Sequence, residues 1–108
     1  MPTVAEIVNE AQVAARQAAE EFLAKHGEPM FCGFAWTKVY VDRTNSQEAK
    51  ALIAAGFQKD CCEPKCLSWW NPSGLYTQSM DVKEAGAEAF TTVLRKYGFR
   101  AYSGSRPD

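Results

Sequence analysis

FCGFAWTKVYVD, residues 31–42, is the stretch whose reading sets the architecture. Its aromatic and β-branched side chains suit a pleated surface, so it reads as a strand. A period of two places Phe34, Trp36, Lys38 and Tyr40 on one face and Ala35, Thr37, Val39 and Val41 on the other. Both faces are largely apolar, so both are expected to be covered at least in part.

Downstream, Asn45 with Glu48 forms an N-cap pattern, Ala49, Leu52 and Ile53 make a helical stripe, and Gly56 supplies a stop, which predicts a helix over 46–55. Phe57 to Cys62 and Cys66 to Trp70 are β-type runs joined at Glu63-Pro64-Lys65, a predicted hairpin. Asn71-Pro72-Ser73-Gly74 is a turn signal. Asp81 with Glu84 then opens a last helix as its N-cap. Its apolar side runs through Val82, Ala85, Ala89 (or Phe90), Val93 and Leu94, with Arg95 and Lys96 in the last turn and Gly98 at its end. Phe99 to Tyr102 reads as a final strand. The ending SGSRPD is polar, and residues 104–108 are expected to form a tail.

Upstream, Thr3 and Glu6 make a capping box, and no glycine or proline interrupts Val4 to Lys25. A long helix follows, within an N-terminal region of residues 1–27, ahead of an α+β core at 31–103. Ile7, Ala11, Ala15 (or Ala14), Ala18 and Phe22 form a narrow stripe, mostly alanine, that allows close approach to something bulky. Gly27 and Pro29 stop the helix behind Lys25 and His26.

Beyond that first helix the order is strand, helix, strand, strand, helix, strand. This predicts an α+β fold of the ferredoxin-like βαββαβ type, an antiparallel sheet with two helices on one face. The first and third strands are then central neighbours, so Trp36, Tyr40 and one of Trp69 or Trp70 share the helix-free face. The alanine stripe of the leading helix is expected to lie across that aromatic face and close the core, because small residues fill space well against large ones. Pairing with a second copy in a homodimer is the alternative.

The chain has 108 residues, enough for a single domain with one core. Hydrophobic residues are 46% and charged residues 23%, which excludes a chain too polar to fold. Apolar runs are broken well short of a membrane span, and MPTVAEIVNE lacks the order of a signal peptide. A cytosolic setting is expected, in which Cys32, Cys61, Cys62 and Cys66 stay reduced. Residues 1–28 carry two basic against five acidic side chains and residues 29–108 ten against eight. Neither part has the dense basic patch of a tight duplex-binding protein.

Three constellations bear on chemistry. Cys62 and Cys66 have a spacing known from zinc ligands, and Cys32 and His26 could in principle complete four; that second pair is poorly spaced and adjacent Cys61 and Cys62 point to opposite sheet faces, so ordinary packing is preferred over a metal site. Trp36, Tyr40, Trp69 or Trp70 and Tyr102, with Lys38 and Arg100 nearby, form a candidate ligand platform for a nucleotide-like molecule or a single strand. Gln78, Ser79 and Asp81 gather polar groups at a helix start, where an anion can bind, although a plain N-cap explains Asp81. No catalytic pattern is present: one histidine, no G-x-S-x-G, no phosphate loop and no H-E-x-x-H. No enzyme and no cofactor are expected.

The segments CGFAWTKVYV and TQSMDVKEAGAEAF, with the ending AYSGSRPD, resemble a group of small, uncharacterised proteins of tailed bacteriophages, in which a Q-S-M-D-x-K-E-A-G-A block precedes a terminal A-Y-x-x-S-R-x-D. The likeness spans roughly residues 32–108 and leaves out the N-terminal helix and the CCEPKC cluster. It implies a viral origin and a host-cytoplasmic setting, and it transfers no binding or catalytic residue. Small phage proteins of this kind act by binding. The leading expectation is therefore a non-enzymatic interaction protein that modulates a host process through a host or phage protein partner. A nucleotide-like ligand or single strand on the aromatic face comes second, and a zinc-stabilised module third.

Overall fold

The computed structural model describes residues 3–26, 33–43, 46–60, 64–70, 72 and 80–107. Its elements in chain order are α1 (Val4–His26), β1 (Gly33–Tyr40), α2 (Gln47–Ala55), β2 (Gln58–Lys59), β3 (Cys66–Trp70), α3 (Met80–Lys96) and β4 (Arg100–Pro107). The strands form one four-stranded sheet in the order β2-β3-β1-β4, and every neighbouring pair is antiparallel. The expected α+β chain with an antiparallel sheet and a long N-terminal helix is therefore present, with β1 and β3 side by side at its centre.

Local chemistry explains the element ends. The Thr3 hydroxyl accepts from the Glu6 amide at 3.2 Å, as the capping box requires. Ser46, not Asn45, caps α2: its hydroxyl accepts from the Ala49 amide at 3.1 Å, and its extended backbone turns the chain into the helix. Asn45 itself lies outside the described residues. Asp81 falls inside α3, which begins at Met80, so it is not the N-cap that its spacing predicted. At the far end of α2, Gly56 has φ 132°, and a side chain there would also run into the Trp69 ring, which passes at 2.7 Å from the site of an added Cβ. Only glycine meets both demands.

The hairpin is present but its first arm is short. Strand pairing covers Gln58 and Lys59 opposite Ser68 and Leu67, and Asp60 donates its amide to the Cys66 carbonyl at 3.0 Å. Cys61, Cys62 and Glu63 lie outside the described residues. β4 departs further from expectation. The SGSRP stretch is not a tail: it continues the strand to Pro107, with Gly33 to Tyr40 opposite Pro107 to Arg100 in unbroken register. Backbone pairing with β1 offsets the weak strand preference of serine and glycine, and an edge position tolerates Pro107 because its missing N–H is not required there.

The core lies between one sheet face and the helices. Ala35, Thr37, Val39, Val41, Leu67 and Ala101 are buried on the sheet side, and Leu52, Phe90 and Leu94 meet them from α2 and α3. α1 corrects an expectation. It does not cross the aromatic face but packs on α3 and α2, extending the helical layer through Ile7, Val8, Ala11, Ala15 and Ala19. The buried stripe thus passes through Ala19, while Ala18 and Phe22 are half-buried. The reason is visible in α3, which carries apolar side chains on two sides. Phe90 and Leu94 reach the sheet, whereas Val93 and Tyr97 leave a second stripe against which a row of alanines can approach closely. Tyr97 donates to a Glu10 carboxylate oxygen at 2.9 Å, and the Lys96 ammonium lies 3.4 Å from the other, fixing the register of the two helices.

Candidate functional site: the helix-free sheet face

With α1 on the other side, the face of β1 that carries Phe34, Trp36, Lys38 and Tyr40 has no helix packed on it among the described residues. Directly opposed residues of antiparallel strands point the same way. Trp36 pairs with Trp70 of β3 and Gly104 of β4, Lys38 with Ser68 and Tyr102, and Tyr40 with Cys66 and Arg100. The pleat therefore gathers five aromatic rings on one surface, drawn from three strands.

These rings form two groups. Trp36 and Trp70 lie 5.1 Å apart, tilted by 46°, and Phe34 meets Trp70 edge-on at 6.2 Å. Tyr40 and Tyr102 meet edge-on at 5.7 Å. Such pairs are worth about 0.5–1.5 kcal/mol beyond the area they bury, which holds the rings in place without covering them. Trp70 remains 53% exposed, Tyr102 51% and Phe34 38%. Trp36 lies flat on the backbone of β4: an added Cβ at Gly104 would fall 2.6 Å from its indole nitrogen and 2.7 Å from Cε2. Gly104 is what lets this large ring lie down across its neighbour strand.

Two cations of the face have carboxylate partners. The Lys38 ammonium faces an Asp60 carboxylate oxygen at 3.5 Å, with both side chains largely buried. Arg100 donates to Asp42 at 2.9 Å at the sheet's end, where both side chains are exposed. Two clefts of about 280 and 420 Å³ flank this pair, lined by Tyr40, Val41 and Arg100 together with Ser46 and Glu48 on one side and Pro64 and Lys65 on the other. Two more cations reach over ring faces from α3: Arg95 sits 4.9 Å from the Tyr102 centroid and Lys83 5.4 Å from that of Phe34.

Of the residues singled out in the sequence, Trp36, Lys38, Tyr40, Trp70 and Arg100 are brought together on this surface, and Tyr102 joins them. Trp69 is not part of it. Alternation sends its ring to the core side, where it packs 5.1 Å from Phe57 and 5.2 Å from Phe90. Gln78 and Ser79 lie outside the described residues, as does the side chain of Asp81. Cys66 is buried, its thiol 3.7 Å from the Leu67 carbonyl, while Cys32, Cys62 and the His26 side chain lie outside the described part. Among the described residues no three His, Cys, Asp or Glu side chains cluster as metal ligands, and no helix is long and apolar enough to cross a membrane. Sequence reasoning missed Phe34 and Gly104. Phe34 was on the right face by period two, whereas Gly104 was hidden in the presumed tail.

Comparison with known proteins gives no matching family model, no similar curated protein and no similar solved structure. The class of protein rests on the fold itself: among the described residues, an antiparallel sheet with a helical layer on one face and a row of aromatic rings on the other.

Proposed function

We propose that this chain is a non-enzymatic, phage-encoded interaction protein, acting in the host cytoplasm, that binds a host protein through the helix-free face centred on Trp36, Trp70, Phe34 and Tyr102. The observation that carries the reading is the exposure of Trp70 and Tyr102 on a face whose rings are held in place by each other and by Gly104. Tryptophan, tyrosine and arginine are the side chains that dominate binding energy at protein interfaces, and pre-ordered rings lose little freedom on binding. Paired charges fit the same picture, because Lys38 and Arg100 already have carboxylate partners and add little attraction for a phosphate backbone. The sheet order, in which β3 is threaded between β1 and β2 and β1 between β3 and β4, supports placing the domain in the ferredoxin-like class, with α1 as an addition.

The test is affinity capture from host lysate on immobilised wild-type protein and on Trp70→Ala and Tyr102→Ala variants that keep the wild-type circular dichroism. The expected result is a discrete host protein retained by wild type and lost from both variants. Equal capture by all three removes the aromatic face from the argument.

A second reading has one observation in its favour: cations and rings interleave, with Lys38 between Trp36 and Tyr40 on β1 and Arg100 beside Tyr102 on β4. That pattern suits stacking of single-stranded bases. Titrating an oligothymidylate against tryptophan fluorescence decides it. Quenching that weakens steeply with salt supports a single-strand ligand, and an unchanged spectrum rules it out.

A further inference from the structure

β4 is the outer strand of the sheet, eight residues long, and no described strand pairs with its other side. Unprotected edges of this length invite pairing with another chain. In this molecule the edge carries a specific guard. Arg95 of α3 donates from Nε to the Ala101 carbonyl at 2.7 Å and lays its guanidinium over the Tyr102 ring. Beside it, between β4 and α3, runs a groove of about 320 Å³ lined by Glu88, Thr91, Thr92, Arg95, Tyr102 and Ser103.

The order of charges along this groove is self-complementary. Glu88 and Arg95 stand two turns apart on α3, with Thr91 and Thr92 midway between them, level with Ser103 on the strand. A two-fold axis through Ser103 and the Thr91-Thr92 pair pairs β4 antiparallel with a second β4. Ala101 then meets Ser105 of the copy, Tyr102 meets its Gly104, and Glu88 on each helix faces Arg95 on the other. The two α3 helices, each lying over β1 and β4, are about two strand spacings apart, roughly 10 Å. Long Arg and Glu side chains span that gap, whereas the threonines between them leave it free of clashes. The strand itself is suited to close pairing, with small side chains at Ala101, Ser103, Gly104 and Ser105.

We infer that the β4 edge docks a second copy of this chain, joining two sheets into one eight-stranded sheet and closing two Arg95–Glu88 ion pairs across the two-fold axis. In the free chain Arg95 covers the edge carbonyl; in the pair the Ser105 amide of the copy takes over that carbonyl and Arg95 turns to Glu88 of the copy. The two aromatic faces become continuous, with Tyr102 of one copy beside Trp36 of the other, both seated at Gly104. This inference is independent of what the aromatic face binds.

Sedimentation equilibrium on the full chain at low salt tests it, with circular dichroism as a folding control. Wild type is expected to show reversible dimer formation. Glu88→Arg sets Arg against Arg and is expected to raise the dimer Kd about tenfold or more, as is Arg95→Glu, and the double swap Glu88→Arg/Arg95→Glu is expected to restore it. Because Glu88 is exposed and makes no contact in the core, its variant remains informative even where Arg95→Glu loses the Ala101 bond and unfolds. Ser103→Pro, which removes the central amide, is expected to abolish the dimer. A monomer at all concentrations overturns the inference, and so does a dimer whose Kd is indifferent to Glu88→Arg and Ser103→Pro.

Discussion

The two faces of this sheet are built from the same strands but from different kinds of residue, small and branched on one and aromatic on the other, and they behave differently. On the helix side Thr37, Val39, Leu67 and Ala101 are sealed under Phe90, Leu94 and Leu52, and even the polar atoms are satisfied internally: the Thr37 hydroxyl lies 3.0 Å from that of Thr91 and 3.2 Å from the Ala87 carbonyl. On the other side, the larger rings of Trp70 and Tyr102 remain about half in water. Small and branched side chains let helices approach the sheet, whereas the face of Trp36, Trp70 and Tyr102 carries no helix among the described residues. A surface that large apolar rings share with water is normally kept for a partner.

Substitutions break or sharpen this contrast, beginning with the largest effect. Phe90→Ala empties the space between Phe57 and Trp69 and is expected to cost about 3–5 kcal/mol in urea unfolding; a loss below about 1 kcal/mol contradicts the packing described. Gly104→Ala drives a methyl group into the Trp36 indole and is expected to cost about 1–3 kcal/mol, with a shift in tryptophan emission. An unchanged emission spectrum means that Trp36 does not lie on β4. Thr37→Val leaves the Thr91 hydroxyl buried without its partner, at about 1–2 kcal/mol, and Thr37→Val/Thr91→Val recovers most of the loss. Failure of the double variant to recover shows that the hydroxyl pair is not an isolated unit. Trp70→Ala, on the open face, is expected to change stability by less than about 1.5 kcal/mol while removing partner capture.

The smallest effect is at the α1–α3 seam. The carboxylate of Glu10 accepts the Tyr97 hydroxyl and raises its pKa above the ordinary 10.0, since losing the proton breaks the bond and sets two negative charges together. The folded chain therefore holds this proton more tightly than the unfolded one. Its contribution to stability is complete below pH 10 and disappears as pH rises through the folded value. Tyr97→Phe is expected to lower the melting temperature slightly near neutrality, where the Glu10 bond is intact, and to flatten that alkaline decline; an equally steep decline in the variant locates the titrating group elsewhere.

Much of this was legible in the order of residues. Alternation in GFAWTKVY assigned every β1 side chain to its correct face, because a pleat leaves no other choice. Capping chemistry marked the start of α1, and the ends of α2 and α3 lay where glycine allowed the turn. Trp69 and Trp70 could be assigned to opposite faces but not to particular ones, since only pairing with Thr37 and Trp36 fixes the phase of β3. Ser46 displaced Asn45 as a cap because both are good cap residues one position apart, and only the helix register chooses between them.

What the sequence determined by itself is local: which segments are helix or strand and which side chains share a face, all set by periods of 3.6 and 2.0 and by caps within a few residues. What only the tertiary structure decided is where those faces meet. α1 carries an alanine stripe that fits any bulky neighbour, and it was the second apolar side of α3, distant in the chain, that claimed it and left the face of Trp36 and Trp70 without a helix among the described residues. The ending SGSRP has weak strand preference, and it became a strand because β1 offered a full row of hydrogen-bonding groups beside it. Non-local packing made both choices, and together they expose the aromatic face and create the β4 edge.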